Sequence, residues 1–134
     1  AITCTGEGGT IVFDPLVLGA NDTISISSAS LEINKNISIN QSPSTIVKIK
    51  ATGPHPIFSV IAGKSLTLNY ADLFMNPNSV NVSGRAILNS GNLLMSNINI
   101  RERSQNLGGN GSTVLNQSGG TVNISSSNQI IIQN

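Results

Sequence analysis

The sequence predicts an all-β, single-domain parallel β-helix: a β-solenoid of about four coils with three short strands per coil. Three observations carry that expectation. Apolar residues alternate with Ser, Thr and Asn over short runs, the period-2 mark of half-buried strands. The corners between runs are small, polar and too short for the helical crossovers of a βαβ fold. The pattern also returns about every 28 residues, in Ile57–Leu73, Ala86–Ile100 and Thr113–Ile130. Phe58 and Ile87 are 29 positions apart, Ile87 and Val114 27, Leu68 and Met95 27, and Met95 and Ile124 29. A β-sandwich is the competing fold, since short strands at regular spacing fit it too.

In chain order, residues 1–22 read as a lead-in or cap segment and 23–134 as the coils. Gly6, Gly8 and Gly9 separate two β-prone stretches, Ile2–Thr5 and Thr10–Phe13. Gly6-Glu7-Gly8-Gly9 lacks the lysine and following helix of a phosphate loop and reads as a turn. Asp14-Pro15 breaks the strand, because proline has no N–H to donate. Leu16-Val17-Leu18 reads as a turn or helical cap, and Asn21-Asp22 as a further turn.

Strand patterns follow at Thr23–Ile26, Leu31–Ile33, Ile37–Ile39, Ile46–Ile49, Ile57–Val60 and Leu66–Leu68. Lys48 and Lys50 alternate with Val47 and Ile49 and are expected to face outward, discouraging side-to-side sheet pairing. Beyond the Asn76-Pro77-Asn78 loop, the pattern resumes at Val80–Val82, Ala86–Leu88, Leu93–Met95 and Ile98–Ile100. Arg101-Glu102-Arg103 reads as the solvated start of a loop that runs through Ser104–Ser112. Val114-Leu115, Val122–Ile124 and Ile130–Ile132 close the chain. Stacked coils lie ~4.8 Å apart, so two inward columns are expected: Ile39, Leu68, Met95 and Ile124, and Phe58, Ile87 and Val114.

Composition narrows the function. The formal net charge is +1 and 10% of residues are charged, which leaves no electrostatic footprint for nucleic acid. No apolar run reaches the roughly 18–20 residues that span a bilayer, so no membrane insertion is expected. A neutral surface rich in Asn, Ser and Thr points to an extracellular or cell-surface location. The chain starts at Ala1 rather than Met, as a processed chain or an excised piece would. Cys4 is the sole cysteine, so it forms no internal disulfide. It is expected to be a small buried hydrophobe, with an intermolecular bond as the alternative.

Gly9-Thr10-Ile11-Val12-Phe13-Asp14-Pro15, then Asp22-Thr23-Ile24 and Leu31 to Ile39, resemble the start of right-handed β-helix surface proteins. These are the adhesin-like and polymorphic-outer-membrane-protein-like passengers with a CSLREA-type N-terminal segment. Ala86–Ile100, with Asn89-Ser90-Gly91, is similar to one of their coils. The helical stretch that commonly precedes the Gly-Thr-Ile strand is replaced here by Ile2–Gly9. The resemblance implies a right-handed helix, an extracellular structural or adhesive role, and no catalytic residues.

Three functions compete. The first is a structural subunit that associates with itself head to tail. Strand edges left open at the ends of a solenoid template further pairing, and a heterologous contact that does not close makes a filament. The expected contact residues are Ile2, Thr3, Cys4, Thr5, Ile11 and Phe13 at one end and Ile130, Ile131 and Ile132 at the other. The second is a non-catalytic module that binds glycan or another surface ligand through rows of Ser, Thr and Asn. Ice binding fits poorly, because the only Thr-x-Thr is Thr3-Cys4-Thr5. The third is a polysaccharide-processing enzyme, which needs two neighbouring carboxylates. The six acids, Glu7, Asp14, Asp22, Glu32, Asp72 and Glu102, fall in different repeats without a paired motif. The expectation is therefore no enzyme. No cofactor is called for, and no metal, since the lone His55 has no companion ligands. The Asn-x-Ser/Thr triplets at Asn21, Asn36, Asn40, Asn81, Asn110, Asn116 and Asn123 read either as glycosylation acceptors or as rungs of asparagine ladders.

Overall fold

The computed structural model describes residues 1–19, 22–75, 86–103, 113–125 and 129–133. It is an all-β parallel solenoid with three faces. The first face stacks β1 (Thr10–Val12), β4 (Ile37–Asn40), the first half of β7 (Ser65–Phe74), the first half of β9 (Asn92–Arg103) and β11 (Thr121–Ser125). The second stacks β2 (Thr23–Ile26), β5 (Lys48–Ala51), the second halves of β7 and β9, and β12 (Gln129–Gln133). The third stacks β3 (Leu31–Ile33), β6 (Phe58–Val60), β8 (Ile87–Asn89) and β10 (Val114–Asn116). Every pairing between these strands is parallel, which excludes the sandwich.

Alternation along each strand explains the winding. Leu66 and Leu68 are buried while Ser65, Thr67 and Asn69 are not, so one side of each strand faces a shared interior. The expected columns are both present. Ile39 lies opposite Leu68, Leu68 opposite Met95, and Met95 opposite Ile124. Phe58 lies opposite Ile87, and Ile87 opposite Val114. Burying one such side chain stabilises by roughly 1.5–3 kcal/mol. Ile11 extends the first column at its other end, opposite Ile39.

The corners are built in two ways. β7 and β9 pass from the first face to the second without interruption, and the bend falls on Tyr70 (φ 54°) and Asn97 (φ 56°). Left-handed backbone is unfavourable for residues with a Cβ, and neither position carries the glycine that would signal it. One coil earlier the chain leaves the sheet between β4 and β5, and a side chain closes the gap. Gln41 is buried; its Oε1 accepts from the Val47 N–H at 2.5 Å and its Nε2 donates to the Val47 carbonyl at 3.3 Å. Gly91 marks a close approach between coils: a Cβ there would run into the Lys64 carbonyl oxygen and stand 2.5 Å from that of Ile61.

Two expectations are corrected. Ile2–Thr5 is not a strand but a single helical turn, with the N–H groups of Cys4 and Thr5 donating to the Ala1 carbonyl at 3.0 and 2.9 Å. Half-burying Ile2 against the core outweighs its β propensity. Arg101-Glu102-Arg103 does not begin a loop; it completes β9 and pairs with β12. The Asn76–Asn78 loop, the Val80–Val82 strand and the Ser104–Ser112 loop lie outside the described residues, as does the turn residue Asn21.

Candidate functional site

The residues expected to mediate self-association fall at opposite ends of the stack. Ile2, Thr3, Ile11 and Phe13 line one apolar concavity at the mouth of the first coil, with Ile24 and Ile26 behind them. The N-terminal turn lies over this mouth. The Lys35 ammonium holds it there, donating to the carbonyls of Thr3 and Thr5, both at 2.8 Å. The turn also borders Ser30, Leu31 and Glu32, beside β3. β1 and β2 each pair with one strand among the described residues. Val12, Leu16 and Val17 of this first coil are 66%, 94% and 73% exposed, a large apolar surface for so small a domain.

Cys4 is exposed on the turn rather than buried. The turn directs Ile2 inward and leaves the thiol outside, so the expectation of a core cysteine is corrected. Ile130, Ile131 and Ile132 lie in β12 at the far end, opposite Ile100, Arg101 and Glu102 of β9. Four strand spacings of ~4.8 Å separate the first and last strands of the first face, roughly 19 Å. Ile124 is 62% exposed at that far end although it continues a buried column.

Each face presents different outward chemistry. The first is uncharged: Ser38, Thr67, Leu94 and Asn123 form one column, and Asn40, Asn69, Ser96 and Ser125 another. Its polar side chains bond from coil to coil. The Asn69 Nδ2 donates to Asn40 Oδ1 at 2.9 Å and the Asn97 Nδ2 to Asn69 Oδ1 at 3.3 Å. Ser65 donates to Asn36 at 2.9 Å and Thr121 to Asn92 at 2.6 Å. At the third corner the fully buried Asn89 donates to Gly91 O, Asn116 Oδ1 and Thr121 O. Asn36, Asn40 and Asn116 of the Asn-x-Ser triplets are thus rungs of such ladders.

The second face carries the charge. Thr23, Lys48, Asp72 and Asn99 form one outward column, and Ser25, Lys50, Phe74 and Arg101 the next. Lys50 is exposed and Lys48 half-buried. With Arg103 at the end of β9, four of the chain's seven Lys and Arg belong to strands of this face. The Arg101 Nε donates to the largely buried Asp72 Oδ1 at 2.9 Å, and its guanidinium lies 5.5 Å from the Phe74 ring centroid. The ion pair bridges neighbouring strands of one chain. The lysines guard no sheet edge, since β5 is paired on both sides, by β2 and β7.

Several other titratable side chains have local roles. Asp14 accepts from the Leu16 N–H and Asp22 from the Gly19 N–H, both at 2.9 Å, as turn aspartates do. Glu7 ties the lead-in segment to later coils, accepting from the Asn36 N–H at 3.2 Å and lying 3.5 Å from the Lys64 ammonium. His55 bonds through Nδ1 to the Pro56 carbonyl at 2.9 Å; a Cβ at Gly53 would meet its ring at 2.7 Å. Among the described residues no three His, Cys, Asp or Glu side chains converge on a metal site. The architecture is that of parallel β-helices in general; no family model, curated protein or solved structure matches the chain.

Proposed function

We propose that this chain is a non-catalytic structural subunit that associates end to end into a fibre outside the cell or on its surface. The observation that carries the reading is the pairing of the end strands. β1 and β2 at one end, and β11 and β12 at the other, each use one backbone edge among the described residues. Parallel strands of a second copy have the geometry to extend them. The apolar mouth around Ile11 and Phe13 and the exposed Ile124 supply surface that such a contact buries. The adhesin-like resemblance of residues 9–39 supports an exported location.

Sedimentation velocity over a concentration series tests the reading. Mass that grows with concentration supports it, provided that Ile124→Lys, which puts an inward-pointing charge on the end strand, restores the monomer. A single monomeric boundary at every concentration contradicts it.

A second reading, a module that binds glycan without catalysis, is favoured by the outward chemistry of the second face.

A further inference from the structure

The second face holds two lysines, Lys48 and Lys50, that neither folding nor end-to-end association uses. β5 is an interior strand, so Lys48 and Lys50 protect no edge. Neither lysine is tied up in an ion pair or side-chain bond among the described residues, whereas Lys35 holds the N-terminal turn and Lys64 pairs with Glu7. Asp72, which with Glu102 makes two acids on the strands of this face, is committed to Arg101 and 7% exposed. That contact uses Nε, so the guanidinium is held in place, and among the described residues no side chain is bonded to its Nη donors.

Geometry gives the pattern a direction. Lys48 and Lys50 are two residues apart on one strand, roughly 6.8 Å. Lys50 and Arg101 are two strand spacings apart in one column, roughly 10 Å, with Phe74 between them. Lys50 beside Phe74 and the Arg101 guanidinium over its ring, on a sheet bordered by Thr23, Ser25 and Asn99, match a polymer whose anionic groups recur along rigid, ring-shaped units. Their spacing is comparable with a disaccharide repeat.

We propose that the second face binds a linear anionic polysaccharide, with Lys48, Lys50 and Arg101 contacting its carboxylates or sulfates and the part of Phe74 that the Arg101 guanidinium leaves uncovered lying against a sugar ring. Arg can pair two N–H groups with two oxygens of one oxyanion, and an aromatic ring offers an apolar body to a sugar's C–H face. The face is lateral, so it stays accessible in a monomer or a fibre. The inference deepens the glycan-binding reading and is independent of end-to-end assembly.

The test measures binding of the full chain to immobilised heparin, polygalacturonate, neutral dextran and oligothymidylate at low and moderate NaCl. The expected result is salt-sensitive binding to heparin, polygalacturonate or both, and none to dextran. The polymer preferred tells sulfate from carboxylate. Lys48→Gln/Lys50→Gln should weaken binding at least tenfold, Phe74→Leu severalfold, and Lys64→Gln hardly at all, with circular dichroism and sedimentation mass unchanged. No binding to either anionic polysaccharide overturns the proposal. So does equal loss from Lys64→Gln, which would mean diffuse charge attraction. Retention on oligothymidylate alone also overturns it and would make the face a nucleic-acid surface.

Discussion

Asn69 donates from Nδ2 to the Oδ1 of Asn40, 2.9 Å away and one coil earlier. Its own Oδ1 accepts from Asn97, one coil later. One side chain thus joins three coils at the corner between the first and second faces. Each bond contributes about 1 kcal/mol. Asn69→Ala should therefore lower stability by about 1–2 kcal/mol, seen as a lower urea midpoint with an unchanged slope. Asn123→Ala, on the exposed last strand of the same face, should change the midpoint little.

Leu68 sits in the middle of the Ile39–Leu68–Met95 column and has no exposed surface. Leu68→Ala should cost about 2–5 kcal/mol in the same titration. The column has neighbours on both sides at that point, so the cavity has little freedom to collapse. Ile124→Ala should cost much less, because Ile124 is already 62% exposed.

Removing one partner of the Arg101–Asp72 pair leaves the other in poor surroundings. Asp72 is 7% exposed, so Arg101→Met strands a nearly buried carboxylate. The expected cost is about 3 kcal/mol. Adding Asp72→Asn should recover part of that loss. A double-mutant cycle checks this, and additive losses would show that the pair is not coupled.

Cys4 should react in the native state. It is exposed on the N-terminal turn, whereas a buried thiol waits for unfolding. Ellman's reagent without denaturant should titrate one thiol per chain at a rate close to that in urea. Lys35→Gln removes both contacts that hold the turn and should raise amide exchange at Thr3 to Thr5 while leaving the Leu68 column protected.

The columns were legible in the sequence because they rest on two periods at once. Alternation fixes which residues of a strand face inward, and the repeat of about 28 residues fixes which strands stack. Leu68 with Met95, and Phe58 with Ile87, follow from counting alone. The corners were not legible. Tyr70 and Asn97 adopt left-handed backbone without glycine; Asn97 is a weak signal of it, since asparagine tolerates that conformation, and Tyr70 is none. Gln41 reads as one more polar residue until Val47 is placed beside it. The N-terminal turn misled for a related reason: Ile2 and Thr5 favour strands, and only the apolar mouth and Lys35 make a turn the better place for them.

The candidate surfaces divide in the same way. The strand at the far end is legible as the β-prone Ile130–Ile132, whereas Ile2–Thr5 reads as a strand and is a turn. The charge on the second face is not legible, because Lys50, Phe74 and Arg101 are far apart in sequence and meet only through register. The local alternation of Lys48 and Lys50 is the signal available in the sequence, and alone it reads as edge protection.

The most direct measurement of the central claim is negative-stain electron microscopy of the purified chain across a concentration series, beside size-exclusion chromatography. End-to-end association predicts unbranched fibres one solenoid wide, with a subunit rise of roughly 22–24 Å, the depth of about five strand spacings of ~4.8 Å. Monomers at every concentration, or particles joined side by side, would contradict end-to-end association.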